Sequence, residues 1–163
     1  MKTMEKVRSR VPNVTLRTSF IVGFPGESQA DFDVLSDFVR AAEFDWMGVF
    51  RYSDEEGAKA HALTGKVPER TRHARERKLM EMQQGISRRR KQQLIGQRME
   101  ILCEGESEES PLLWEGRTAM HAPQIDGKVY ISDFGPHEAL RPGEFYPAEI
   151  VEAHDYDLVA RIV

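Results

Sequence analysis

Thr15 to Glu27, TLRTSFIVGFPGE, is the stretch whose reading decides the fold. Phe20-Ile21-Val22 is a short apolar run that stops at Gly23-Phe24-Pro25-Gly26. Ser28 followed by Asp31 then gives the signature of a helix N-cap box. Strand, glycine turn and helix make the unit from which parallel α/β folds are built, and ligands gather at the carboxyl ends of such strands. Two glycines let a bound molecule come close to the backbone, because no Cβ stands in the way. The plain alternative is that they only make a tight turn.

Outward from this stretch, Ser28 to Ala42 places Phe32, Leu35, Phe38, Val39 and Ala42 at offsets of three and four, one apolar helical face. Trp46 to Phe50 is a second short strand, and it ends in the polar loop Arg51 to Gly57. Parallel strands share polarity, so this loop is expected to open beside the glycine turn. Asp54, Glu55 and Glu56 in that loop are of a type that serves acid–base chemistry, but three acids before a glycine read more simply as solvated. Lys2 to Arg10 reads as a short helix before the first strand.

Pro68 to Ile95 follows as a long basic helix of about 40 Å, with proline in its first turn. Leu79, Met82 and Ile86 mark its apolar stripe. Arg88-Arg89-Arg90-Lys91 is the one basic cluster suited to RNA phosphates, although a solvated face explains it more simply. The helix pattern ends at Leu94-Ile95-Gly96, where glycine suits a left-handed cap. A domain boundary is placed there, giving 1–95 and 96–163.

The second part has five short strands: Met99 to Cys103, Leu112 to Met120, Val129 to Ser132, Phe145 to His154 and Tyr156 to Val163. Turn signals such as Ile125-Asp126-Gly127 and Arg141-Pro142-Gly143 separate them. This predicts a small closed barrel, since closure removes exposed strand edges. The inward face of the last strand is only weakly visible, and Glu104 to Glu109 reads as a loop. The fold class is therefore an α/β segment followed by a small all-β barrel of the OB or TRAM sort.

Charge divides unevenly between the parts. Residues 1–96 hold 18 Lys plus Arg against 13 Asp plus Glu, a net of +5. Residues 97–163 hold 5 against 14, a net of −9, and the two sum to the −4 of the whole. An acidic barrel repels nucleic acid, whose affinity comes largely from basic side chains. It suits a basic protein instead. Tyr130, Phe134, Phe145 and Tyr146 have the flat rings that stack on bases, but core packing is their expected role.

Further classes are set aside on residue content. No apolar run is long enough to span a membrane, and the amino terminus has no apolar core of signal-peptide length, so the cytoplasm is expected. His61, His73, His121, His137 and His154 are scattered, which predicts no zinc site. Cys103, the single cysteine, reads as an inert buried thiol. The phosphate-binding GxxxxGK[ST] pattern does not occur.

Three segments in order, IVGFPGE, RYSDEEG at Arg51 to Gly57 and APQIDGKVYIS at Ala122 to Ser132, resemble the radical-SAM methylthiotransferase family. The third is most similar to the RimO type, the branch that modifies an aspartate of a small-subunit ribosomal protein; the tRNA-modifying branch is similar in the first two. The resemblance implies the last strands and helices of a partial β/α barrel followed by a TRAM domain, acting with S-adenosylmethionine and 4Fe-4S clusters. It implies that Gly23, Phe24, Pro25 and Gly26 form the wall beside the adenine, with Arg51, Tyr52 and Ser53 on the substrate side. It also implies a ribosomal protein as partner, with RNA less expected.

The chain departs from the family at definite places. Glu27 stands four residues after Gly23, where many radical-SAM proteins have a glutamate three after, and Ala58 replaces the threonine expected after Gly57. The CxxxCxxC ligand set of the family's cluster does not occur. The chain is thus expected to begin before the fifth barrel strand, to be inactive alone, and to self-associate through the uncovered sheet edge. The alternative from another class is a non-catalytic TRAM-type binding module for RNA or the ribosome.

Overall fold

The computed structural model describes residues 2–163, and the chain divides into two compact units, 1–86 and 87–163. In the first unit, α1 (Lys2–Arg10) precedes β1 (Arg17–Val22), α2 (Gln29–Ala42) and β2 (Trp46–Arg51). A 3-10 turn at Lys59–Ala62 leads to α3 (Glu69–Gln92), and the unit division falls within that helix. The expected cap box is present: Ser28 Oγ accepts from the Asp31 amide at 3.1 Å, and Asp31 Oδ2 accepts from the Ser28 amide at 2.9 Å.

β1 and β2 pair in parallel, from Arg17 against Trp46 to Val22 against Arg51, so both strands end at the same edge. Alternation along the strands sends Phe20, Val22, Met47 and Val49 into a core with Phe32, Val39 and Leu79. Phe20, Phe38 and Phe44 pack edge to face, with centroids 5.9–6.3 Å apart. Each fully buried apolar side chain of this kind contributes about 2 kcal/mol. Ile21 and Phe50, register partners on the opposite face, are 60% and 58% exposed.

The long helix differs from its sequence reading in two ways. It ends at Gln92 rather than Ile95, because Gly96, at φ 81°, turns its N–H to Ile150 O at 2.8 Å. At 24 residues it is about 36 Å long. Its buried stripe is also more polar than expected: Leu79 and Ile86 are buried but Met82 only half so, while Arg75, Gln83, Ser87 and Lys91 are buried along the same helix. Buried polar heads need partners, and Gln83 donates to Phe44 O at 2.9 Å while Lys91 donates to Ser87 Oγ at 2.8 Å.

In the second unit β3 (Arg98–Ser107), β4 (Ser110–Arg117), β5 (Val129–Asp133), β6 (Phe145–Ala153) and β7 (Leu158–Ile162) form a closed barrel in the order β3-β4-β5-β7-β6. All pairs are antiparallel except β5 with β7. Leu158, Ala160 and Ile162 are all buried, so the last strand has a clear inward face after all. β3 runs to Ser107 and takes Glu104 and Glu106 out of the expected loop; register shifts at Gly105 and Ser107 bend it into the hairpin. Among the described residues no helix is long and apolar enough to cross a membrane.

Candidate functional site

The two strand ends of the first unit carry the residues singled out in the sequence. Gly23 sits at φ 76°, a conformation that favours glycine. Its amide donates to Glu27 Oε2 at 2.9 Å, while the Gly26 amide donates to Gly65 O at 2.9 Å. Phe24 is 44% exposed. It meets Tyr52 edge to face at 5.4 Å, so the glycine turn and the loop after β2 touch through their rings.

These contacts fix what the turn offers a ligand. Both glycine amides are already engaged within the chain, and the Phe24 carbonyl accepts the Glu27 amide at 2.9 Å. The exposed Phe24 ring offers a flat apolar surface to the face of a purine, and the space a Cβ at Gly26 would take is open. What these residues hold ready for an adenosyl group is therefore the flat apolar face of Phe24, and not the glycine amides. Both carboxylate oxygens of Glu27 are engaged within the chain: one holds the Gly23 amide and the other holds Arg75 at 2.5 Å. That pair is well buried, with side chains 7% exposed for Arg75 and 12% for Glu27.

Beside the turn, a cleft of about 510 Å³ is lined by Phe50, Arg51, Tyr52, Ser53, Arg72 and Glu76 among others. Arg51 pairs with Glu76 at 3.1 Å and approaches His73 Nδ1 at 3.0 Å. Ser53 donates to Glu55 at 2.6 Å. Asp54 is a hub, accepting from Lys66 at 2.5 Å, from Tyr52 at 3.1 Å and from His61 at 3.0 Å. The Lys66 hydrogen bond holds its carboxyl below the ordinary range, with Tyr52 and His61 adding to the effect. Asp54 therefore stays ionised, which suits an anchor of the loop and not a general acid.

Sequence reading missed the arginines of α3 as members of this site. Arg72 donates to Tyr52 O, and Arg75, stacked over Phe32 at 5.3 Å, holds Glu27. Their only signal was a place on a basic helix.

The described residues offer no thiolate set for an iron–sulfur cluster. Cys103 lies in the barrel core, and burial pushes its thiol up. Such clusters take several thiolates. Among the described residues no group of three or more His, Cys, Asp or Glu is placed to hold a metal ion.

In the second unit, the Arg88 to Lys91 cluster is not a free phosphate-binding row: Lys91 is buried, and Arg88 pairs with Asp155 at 2.5 Å. Of the four rings, Tyr146 is buried, Phe134 packs on Trp114 at 5.7 Å, and Tyr130 donates to Glu109 at 2.6 Å. Phe145, expected in the core, is 65% exposed, because it alternates with the inward Tyr146. His121 is 7% exposed. Burial, then the Lys91 charge, lower its pKa to about 4, and its Nδ1 accepts from the Thr118 amide at 3.3 Å.

Residues 95–163 match the TRAM domain. Over all 163 residues the chain is 59% identical to the ribosomal protein uS12 methylthiotransferase RimO of Koribacter versatilis, covering 32% of that protein. It is 49% identical over 163 residues to the protein of the same name from Solibacter usitatus, covering 35%, and 48% identical over 162 residues to that of Sorangium cellulosum, covering 32%. The chain spans about a third of the length of these curated relatives. The likeness to these methylthiotransferases runs along the whole chain, through the parallel strand–turn–helix segment and the TRAM barrel alike. The relatives it is similar to are of the RimO type.

Proposed function

We propose that the chain supplies two parts of a methylthiotransferase acting on an aspartate of ribosomal protein uS12: a cofactor-side wall and a substrate-recruiting barrel. In this reading Gly23, Phe24, Pro25 and Gly26 line the adenosyl group, and Arg51, Tyr52 and Ser53 face the substrate. The domains divide at Gly96, and the setting is cytoplasmic, where ribosomal proteins are modified. The 4Fe-4S clusters and S-adenosylmethionine supply the radical and sulfur chemistry of the family.

The observation that carries the substrate choice is charge. The barrel part has a net of −9 from 5 basic and 14 acidic residues, and proteins that bind ribosomal RNA are basic, so opposite potentials favour and orient the encounter. The test is a titration of the full chain against uS12 and against tRNA at moderate salt. We expect uS12 to bind at least about tenfold more tightly, with affinity falling as salt rises. Tighter binding to tRNA would move the proposal to the tRNA-modifying branch.

A further inference from the structure

We infer that Arg72 is a positioning residue that locks the glycine turn after β1 to the loop after β2, so that Phe24 and Tyr52 form one surface. The inference rests on the reading of Gly23 to Gly26 as the cofactor-side wall only for its consequence, not for its geometry.

Arg72 reaches both strand ends at once. Its guanidinium donates to the backbone carbonyl of Tyr52. Its stem fills the place a side chain at Gly23 would take: a Cβ there would overlap Arg72 Cγ and come within 2.8 Å of its Cδ. Gly23 is thus required twice, once for its φ of 76° and once to admit the arginine. The Val22 carbonyl accepts the Tyr52 amide at 2.9 Å, so the two segments are also joined through their backbones. Arg75, three residues on, fixes the far end of the turn through Glu27.

The arrangement has a cost that stability does not explain. Arg72 Nε is buried with no hydrogen-bond partner. An unsatisfied buried donor opposes folding, and each such group in a native structure calls for a reason. A methionine of similar length would pack the same space without that donor. What the arginine adds is a hydrogen bond to the Tyr52 carbonyl, and hence the distance between Tyr52 and Phe24, whose rings stand 5.4 Å apart. A surface set before binding spares the ligand the ordering of two loops.

The test uses the full 163-residue chain and the variants Arg72→Met and Arg72→Lys. The first readout is the nuclear Overhauser effect between the Phe24 and Tyr52 rings, with the Phe20–Phe38 pair as control for the core. The second is calorimetric titration with S-adenosylmethionine. We expect Arg72→Met to abolish the Phe24–Tyr52 effect while keeping that of Phe20–Phe38, and to bind S-adenosylmethionine about tenfold more weakly. Arg72→Lys keeps a donor for the Tyr52 carbonyl and restores the signal. Persistence of the Phe24–Tyr52 effect in a folded Arg72→Met chain overturns the inference. If Arg72→Met does not fold, Arg72→Lys decides: rings still adjacent support the inference, whereas rings apart over an intact core overturn it. A wild-type chain that binds no S-adenosylmethionine, but whose two rings separate in Arg72→Met, overturns the cofactor reading and supports the positioning role.

Discussion

The first unit packs its core on one face of a two-stranded parallel sheet and leaves Ile21 and Phe50 of the other face exposed, whereas the second closes five strands around a single core. In the first, Ile21 and Phe50 sit side by side on that face. In the second, Ile101, Ile131, Ile150 and Leu158 all point inward and are fully buried. Two strands are too few to hold themselves in water without cover, and here α2 and α3 supply that cover on one side only. Sheet closure is thus the property that separates a self-sufficient unit from one that invites additional strands.

The largest expected difference is in local stability. Amides of β1 should exchange with solvent at least about a hundredfold faster than those of β3, β6 and β7, and the chain should sediment as more than a monomer through the open edge of β1. A monomer with equally slow exchange in both units would break the contrast.

Next in size is the buried pair that pins the glycine turn. Glu27→Gln leaves the Arg75 guanidinium buried beside a neutral partner, which should cost about 3 kcal/mol. The loss should appear in the unfolding of the first unit alone, followed through Trp46, which is buried in that unit. Unchanged stability would mean that the pair does not hold the turn.

A comparable effect, confined to the barrel, should follow pH. The His121 imidazole takes a proton near 6.5 when unfolded but only near 4 when folded. The unfolded state therefore binds the proton first. The stability from a neutral His121 is complete above pH 6.5, falls as pH drops toward 4, and is level below. The loss should be about 3 kcal/mol. His121→Gln should flatten this window, and an equal slope in the variant would assign it to the surrounding carboxylates instead.

Much of this architecture is legible in the residues because it rests on local signals. Ser28 with Asp31 marks a helix start, glycine at 23 marks a strand end, and evenly spaced turn residues mark the barrel. The polar face of α3 is not legible, because a helical period identifies buried positions by hydrophobicity, and Arg75, Gln83 and Lys91 are buried by virtue of their polar partners. The same holds at the candidate site. Phe24 and Tyr52 come from segments each visible in sequence, but the Arg72 that joins them acts across 20 residues and the Arg75 bond to Glu27 across 48. Phe145 misleads for the opposite reason: alternation along β6 fixes its direction outward, whatever its hydrophobicity.

The smallest predicted effect tests whether local signals or distant packing hold the first unit. Ser28 Oγ and Asp31 Oδ2 satisfy each other's backbone amides at the start of α2 and lie at the surface. Ser28→Ala removes one side of the box and should cost about 1 kcal/mol, with no effect on the barrel. Asp31→Asn keeps an acceptor oxygen but loses the negative charge near the helix N-terminus, so its cost should be the smaller of the two. The Ser28 hydrogen bonds already hold the Asp31 carboxyl below its ordinary pKa. In the double variant the two costs should fall short of additivity, because each single change already breaks the reciprocal pair. Thermal unfolding of the two single variants and the double one checks this. Full additivity would mean that the two residues act independently, and that α2 is held by its buried face through Phe32 and Val39 more than by its cap.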